Sequence, residues 1–178
     1  MSEFKVASRY AKALLDLSIE QQVLDQVKQN VEDFISVAKK HSELRAVLKN
    51  PIVKHDKKNN ILKTLFGNQF QPVLIGFFTL MVNKGRGEIL FGTAQEFIRE
   101  YNEYKGIVIA RVTSAAPLSE ESKAALKEVI KSSTGHEVIL ENRVDSNLIG
   151  GFVVTVGDRQ LDVSIAGRLN TLDRAFHA

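Results

Sequence analysis

The stretch Gly150–Leu169, GGFVVTVGDRQLDVSIAGRL, decides the fold. Its glycines raise two readings, a phosphate cradle and a set of chain turns. A dinucleotide-binding fingerprint places its glycines after a strand, at the opening of a helix. Here the order is reversed, because Gly150 and Gly151 come before the strand. Phe152, Val154 and Val156 alternate with Val153 and Thr155, which is strand periodicity. Gly157-Asp158 suits a two-residue hairpin turn, since both residue types tolerate positive φ. A return strand is expected over about Arg159–Val163. Ser164 is placed to cap a last helix, Ile165 to Phe176, with Ile165, Leu169, Leu172 and Phe176 inward. The stretch therefore reads as strand, turn, strand and helix, not as a nucleotide site.

Immediately upstream the pattern is of the same kind. The β-branched run Ile107–Val112 reads as a strand. Pro117 breaks the chain, and Ser119 can cap a helix whose first turn carries Glu120 and Glu121, where negative charge complements the helix dipole. Leu126, Val129 and Ile130 supply its apolar face, and Thr134-Gly135 ends it. HEVILENRV, from His136, alternates as a second strand, with Val138, Leu140 and Val144 on one side and Glu137, Glu141 and Arg143 on the other.

Before residue 105 the period changes from two to 3.6. Residues 4–20 carry the stripe Val6, Tyr10, Leu14 and Leu17, widened by Phe4, Ala7, Ala11, Leu15 and Ile19. That is more apolar circumference than one core usually needs. Gln22–Lys40 is an ordinary amphipathic helix through Leu24, Val27, Val31, Phe34, Ile35 and Ala38. Ser42 is expected to cap a short helix through Leu44, Val47 and Leu48, ended at Asn50-Pro51. A fourth helix covers about Lys54–Phe66, with Gly67 expected in the left-handed position after its end. The fifth, about Gln69–Asn83, is apolar on nearly every face. Asn83–Glu88 (NKGRGE) is a turn; it lacks the strand before it and the Lys-Ser/Thr pair that a Walker loop requires. A sixth helix follows to about Tyr104, with Leu90, Ala94, Phe97, Ile98 and Tyr101 inward, and Gly106 stops it. The expected fold is mainly α with a small α/β part: a six-helix bundle over 1–105, then a small α+β domain over 106–178.

Composition removes several classes of function. The 178 residues include no cysteine, so disulfides and thiolate metal sites are excluded. His41, His55, His136 and His177 lack ligand-type spacing. The longest apolar run, Pro72–Val82, falls short of the roughly 20 residues that cross a bilayer. Residues 1–105 hold 16 Lys+Arg and 12 Asp+Glu, a balance of +4; residues 106–178 hold 8 and 9, a balance of −1. Neither demands nucleic acid. The densest basic cluster, Lys54, Lys57, Lys58 and Lys63, reads as a solvated helix face. No nucleophile motif is present. Glu120 and Glu121 are adjacent on a helix and point about 100° apart; Asp158 and Asp162 beside Arg159 read as exposed charges. No acid, base and oxyanion stabiliser come together. A non-enzyme that works by binding is expected, with no cofactor and no metal. The rival, a basic nucleic-acid-binding adaptor, lacks a face that interleaves aromatic and basic residues.

Three segments carry a resemblance. ASRYAKALLDLS (Ala7–Ser18), LMVNKGRGEIL (Leu80–Leu90), and VILENRVDSNLIGGFVVTVGD (Val138–Asp158) with DVSIAGRLNTL (Asp162–Leu172) together resemble the delta subunit family of bacterial F-type ATP synthase. The mitochondrial equivalent is the oligomycin-sensitivity-conferring protein. The resemblance implies a peripheral-stalk subunit at the cytoplasmic face of the bacterial plasma membrane, without direct membrane insertion or nucleic acid. It implies that the N-terminal domain grips the N-terminal helix of an alpha subunit between its first and fifth helices. It implies that the C-terminal domain meets the C-terminal helices of the b subunits. On this reading the groove is lined by Val6, Tyr10, Ala13, Leu14, Leu74, Phe78 and Met81.

Overall fold

The computed structural model describes residues 3–146, 148, 150–157 and 159–165. The chain divides into two compact units, residues 1–102 and 103–178.

Helices fill the first unit: α1 (Glu3–Glu20), α2 (Leu24–Lys40), α3 (Ser42–Lys49), α4 (His55–Phe66) and α5 (Pro72–Asn83). A 3-10 turn over Gly87–Ile89 leads into α6 (Leu90–Lys105). Each helix contributes a stripe to one core. Val27, Val31 and Phe34 of α2 are fully buried, as are Ala11 of α1, Leu74 and Met81 of α5 and Phe97 of α6. Aromatic rings tie that core together. Phe34 lies with its ring centroid 4.9 Å from Phe78 and 5.7 Å from Phe66, and Phe66 stacks on Phe70 at 4.6 Å. These spacings are those of favourable ring pairs, worth about 0.5–1.5 kcal/mol each beyond simple burial.

Several ends differ from the sequence reading. α5 starts at Pro72, not Gln69. Proline at the first helical position costs no hydrogen bond, because that N–H has no partner within the helix. Ser42 is the first residue of α3, and His41 holds the cap position without a side-chain bond. Gly67 is right-handed, with φ −58°; the chain stays tightly wound there, with both Gln69 and Phe70 donating to the Phe66 carbonyl. Lys58 is not part of a solvated face. It is buried, and its Nζ donates to the Leu48 carbonyl at 2.7 Å. The cation thus sits at the C-terminal end of α3, where the helix dipole favours positive charge.

The second unit holds β1 (Ile107–Ser114), α7 (Glu120–Thr134), β2 (Glu137–Val144), β3 (Phe152–Val156) and β4 (Arg159–Asp162). Among the described residues the sheet order is β2-β1-β3-β4. β1 and β2 are parallel, with Val108 opposite Val138, and α7 is the connection between them. β1 with β3 and β3 with β4 are antiparallel. Register sets the faces. Ala110, Val112, Val138 and Val154 point to one side and form a core with Ile130 of α7. Ser119 caps α7 by accepting the Ser122 N–H, and Gly135 ends it in the left-handed conformation at φ 73°.

The opening glycines have structural tasks. Gly151 adopts φ 82°, and a Cβ there would run into the Val163 carbonyl. A Cβ at Gly150 would lie 2.6 Å from Ile165 Cδ1. The Gly150 carbonyl accepts the Ile165 N–H at 3.0 Å, and Phe152 O accepts Val163 N–H at 3.0 Å. Two segments of backbone lie against each other, and glycine is what lets them approach. Asp158 and the expected helix beyond Ile165, with Leu169, Leu172 and Phe176, lie outside the described residues.

Candidate functional site: an apolar strip on the first and fifth helices

α1 has two apolar faces. Ala7, Ala11, Leu14, Leu15 and Ser18 are buried in the bundle, and Ser18 Oγ satisfies itself on the Leu14 carbonyl at 2.6 Å. Val6, Tyr10, Ala13 and Leu17 follow each other at steps of four, three and four, so they form a second stripe. Val6, Tyr10 and Leu17 are half-buried and Ala13 is exposed.

α5 repeats the arrangement. Leu74, Phe78, Met81 and Val82 are buried. Val73, Phe77 and Leu80 form the other stripe; the first two are half-buried and Leu80 is 49% exposed. The stripes of the two helices meet where the Tyr10 and Phe77 rings pack edge to face, with centroids 6.2 Å apart at 71°. Pro72 is exposed at one end of α5, and Lys84 follows the other. Lys12 and Asp16 are exposed on α1, charges of both signs beside an apolar centre.

The seven residues expected to line a groove thus separate. Val6, Tyr10 and Ala13 lie on the strip. Leu14, Leu74, Phe78 and Met81 are core side chains in this structure, each no more than 2% exposed. Their stripe at i, i+4 and i+7 is the one that meets Phe34, so they form the floor beneath the strip and not its surface. Phe77 and Leu80, which the expected groove did not include, lie on the strip. Their signal was available: α5 shows two interleaved apolar stripes, and only one can face a given core.

Tyr101 Oη donates to Asp25 Oδ1 at 2.7 Å, tying α6 to α2. Burial, then the hydrogen bond and the charge of Asp25, push the Tyr101 hydroxyl up to about 12. No group of three or more His, Cys, Asp or Glu side chains that could hold a metal occurs among the described residues. No described helix is long and apolar enough to cross a membrane.

The first unit is a helical bundle with an apolar strip left open on α1 and α5, and the second is a four-stranded sheet with α7. Residues 6–176 match the family model described as ATP synthase delta (OSCP) subunit, and the chain belongs to that family. It is 38% identical over 176 residues to the ATP synthase subunit delta of Cytophaga hutchinsonii, covering 99% of this chain and 96% of that one. It is 35% identical over 179 residues to the chloroplastic ATP synthase subunit delta of Ochrosphaera neapolitana, covering 100% of both. Its fold matches a chain of the Toxoplasma gondii mitochondrial ATP synthase hexamer, with TM-score 0.74, 23% identity and 97% of each chain covered. Members of the family are structural, non-catalytic subunits, and this chain is one of them.

Proposed function

We propose that this chain is the adaptor at the top of the peripheral stalk, joining the catalytic head to the membrane-anchored b subunits and resisting the torque of the rotor during proton-driven ATP synthesis. The first unit takes the N-terminal helix of an alpha subunit, and the second takes the C-terminal helices of the b subunits. The complex places it at the cytoplasmic face of the plasma membrane.

The observation that carries this reading is the strip itself. Val6, Tyr10, Ala13, Phe77 and Leu80 leave apolar surface uncovered on two adjacent helices, which is the form of a groove for an amphipathic partner helix. Covering it yields about 25 cal/mol per Å² of apolar area before the costs of association. Exposed Ala13 lets a partner backbone approach closely, and Tyr10 offers a broad ring with a polar tip.

The experiment is a titration of the whole chain with a peptide of the alpha-subunit N-terminus, wild type against Tyr10→Asp. Tyr10 is half-buried, so the variant should keep its fold, checked by circular dichroism. A carboxylate in the apolar contact should weaken binding about 100-fold or more, since an unpaired charge is costly to desolvate. Unchanged affinity in a folded variant sinks the assignment.

A further inference from the structure

A cavity of about 450 Å³ opens elsewhere on the first unit, among the start of α1, α3, the 3-10 turn and α6. That volume lies in the range of small-molecule sites. Phe4, Leu48, Ile89 and Phe91 give it apolar walls. Arg45 gives it a cation. The Arg45 guanidinium lies over the Phe91 ring, 5.5 Å from its centroid, and its Nε is buried without a hydrogen-bond partner.

Burial closes Nε off from any ligand, so an acceptor in the cavity has to pair with the remaining donors of the guanidinium fork. The carboxylates nearby do not supply one. Glu96 is held by Arg99 at 2.9 Å, and Glu3 and Glu88 are exposed on the lining. Gly92 widens the space: it lines the cavity, and a Cβ built there meets nothing within 4 Å.

We infer that this cavity is a binding site for an aliphatic monocarboxylate of medium chain length. The carboxylate accepts from Arg45, a charge-assisted bond that guanidinium geometry favours. The alkyl chain lies along Phe4, Leu48 and Ile89. The inference does not depend on the stalk reading, since neither the ligand nor the test involves another subunit.

The test is a titration of the isotopically labelled full chain with hexanoate, with 1-hexanol as the uncharged control, followed by amide chemical shifts and thermal melting. Hexanoate should give saturable shifts at Phe91 and Gly92 and raise the melting temperature, and hexanol at equal concentration should bind at least tenfold more weakly. Arg45→Met keeps the stem and removes the donor; hexanoate affinity should fall at least tenfold, the size expected for a charge-assisted hydrogen bond. Gly92→Leu fills the space on a helix where glycine is a poor helix former, so it should preserve or raise stability while abolishing binding. The inference is overturned if hexanoate and hexanol bind alike, if hexanoate gives no saturable shifts, or if folded Gly92→Leu binds as wild type does.

Discussion

Lys58 shows what one residue's environment can do to a sequence reading. Four lysines between positions 54 and 63 look alike in sequence, and three of them are exposed. Lys58 differs because the last turn of α3 directs the carbonyl of Leu48, ten residues earlier, toward its ammonium. Gly87 completes the packing; a Cβ there would lie 3.1 Å from Leu48 O and 3.7 Å from Lys58 Nζ. Replacing Lys58 with Ala should therefore cost about 1–3 kcal/mol, the loss of a charged donor to a buried carbonyl. Urea unfolding of both proteins checks this, and Lys57→Ala should change almost nothing by comparison. Tyr101 gives a second prediction, with a sign. Its hydroxyl is pushed up to about 12 from the usual 10.0 in the folded chain. Between those values the unfolded chain loses the proton while the folded chain keeps it, so stability is intact below pH 10 and is lost as pH rises toward 12. Tyr101→Phe should show a shallower alkaline decline than wild type. In the wild type, a tyrosinate absorbance step near pH 12 should be present that the variant lacks. The inward position of Tyr101 was legible in the helical period. Its partner was not, because Asp25 lies 76 residues away in sequence.

At the scale of elements, local chemistry was legible wherever it closes within a few residues. Ser119 and Gly135 bracket α7 as their side-chain and backbone preferences require, and alternation placed Val138 and Val154 on the buried side. Ser119→Ala should cost about 1 kcal/mol through the lost cap, read as a lower melting temperature, with Ser122→Ala as a mild comparison. Gly67 and Ser42 did not follow their local preferences, because the turns around them are set by what the neighbouring helices bond to: Gln71 N–H, for example, reaches Asn30 Oδ1 at 2.9 Å from another helix. Strand order was not legible either. Alternation gives a strand its faces but not its neighbours, and the parallel β1–β2 pair with β3 on β1's other side emerges only from the pairing. Gly151 belongs to this scale, since it joins the entry of β3 to the exit of β4. Gly151→Ala faces both a positive φ and the Val163 carbonyl, so it should destabilise the second unit by more than the roughly 1 kcal/mol of an unstrained glycine change. Hydrogen exchange should then rise in β3 and β4 while α2 and α5 keep their protection.

At the scale of the whole molecule, the excess of apolar surface carries the argument. A bundle of this size needs one buried stripe per helix, and α1 and α5 each carry a second apolar stripe that the core does not cover. The sequence showed the excess but not its division, and so four core residues were assigned to the surface and Phe77 to neither. Only packing separates the stripes, because Phe77 and Phe78 are adjacent, equally apolar, and about 100° apart on the helix. The difference sets their mutational outcomes. Phe78→Asp places a charge beside Phe34 in the core and should unfold the first unit. Phe77→Asp places it on the strip, where the free chain can still hydrate it. On the stator reading, a reconstituted ATP synthase carrying Phe77→Asp should keep ATP hydrolysis in its catalytic head, because this subunit makes and breaks no bond. It should lose most ATP-driven proton pumping, because torque is held only while the adaptor stays attached. Both activities measured on the same vesicles decide the matter: equal pumping in wild type and variant would remove the strip from the load path, whereas hydrolysis without pumping would put Phe77 on it.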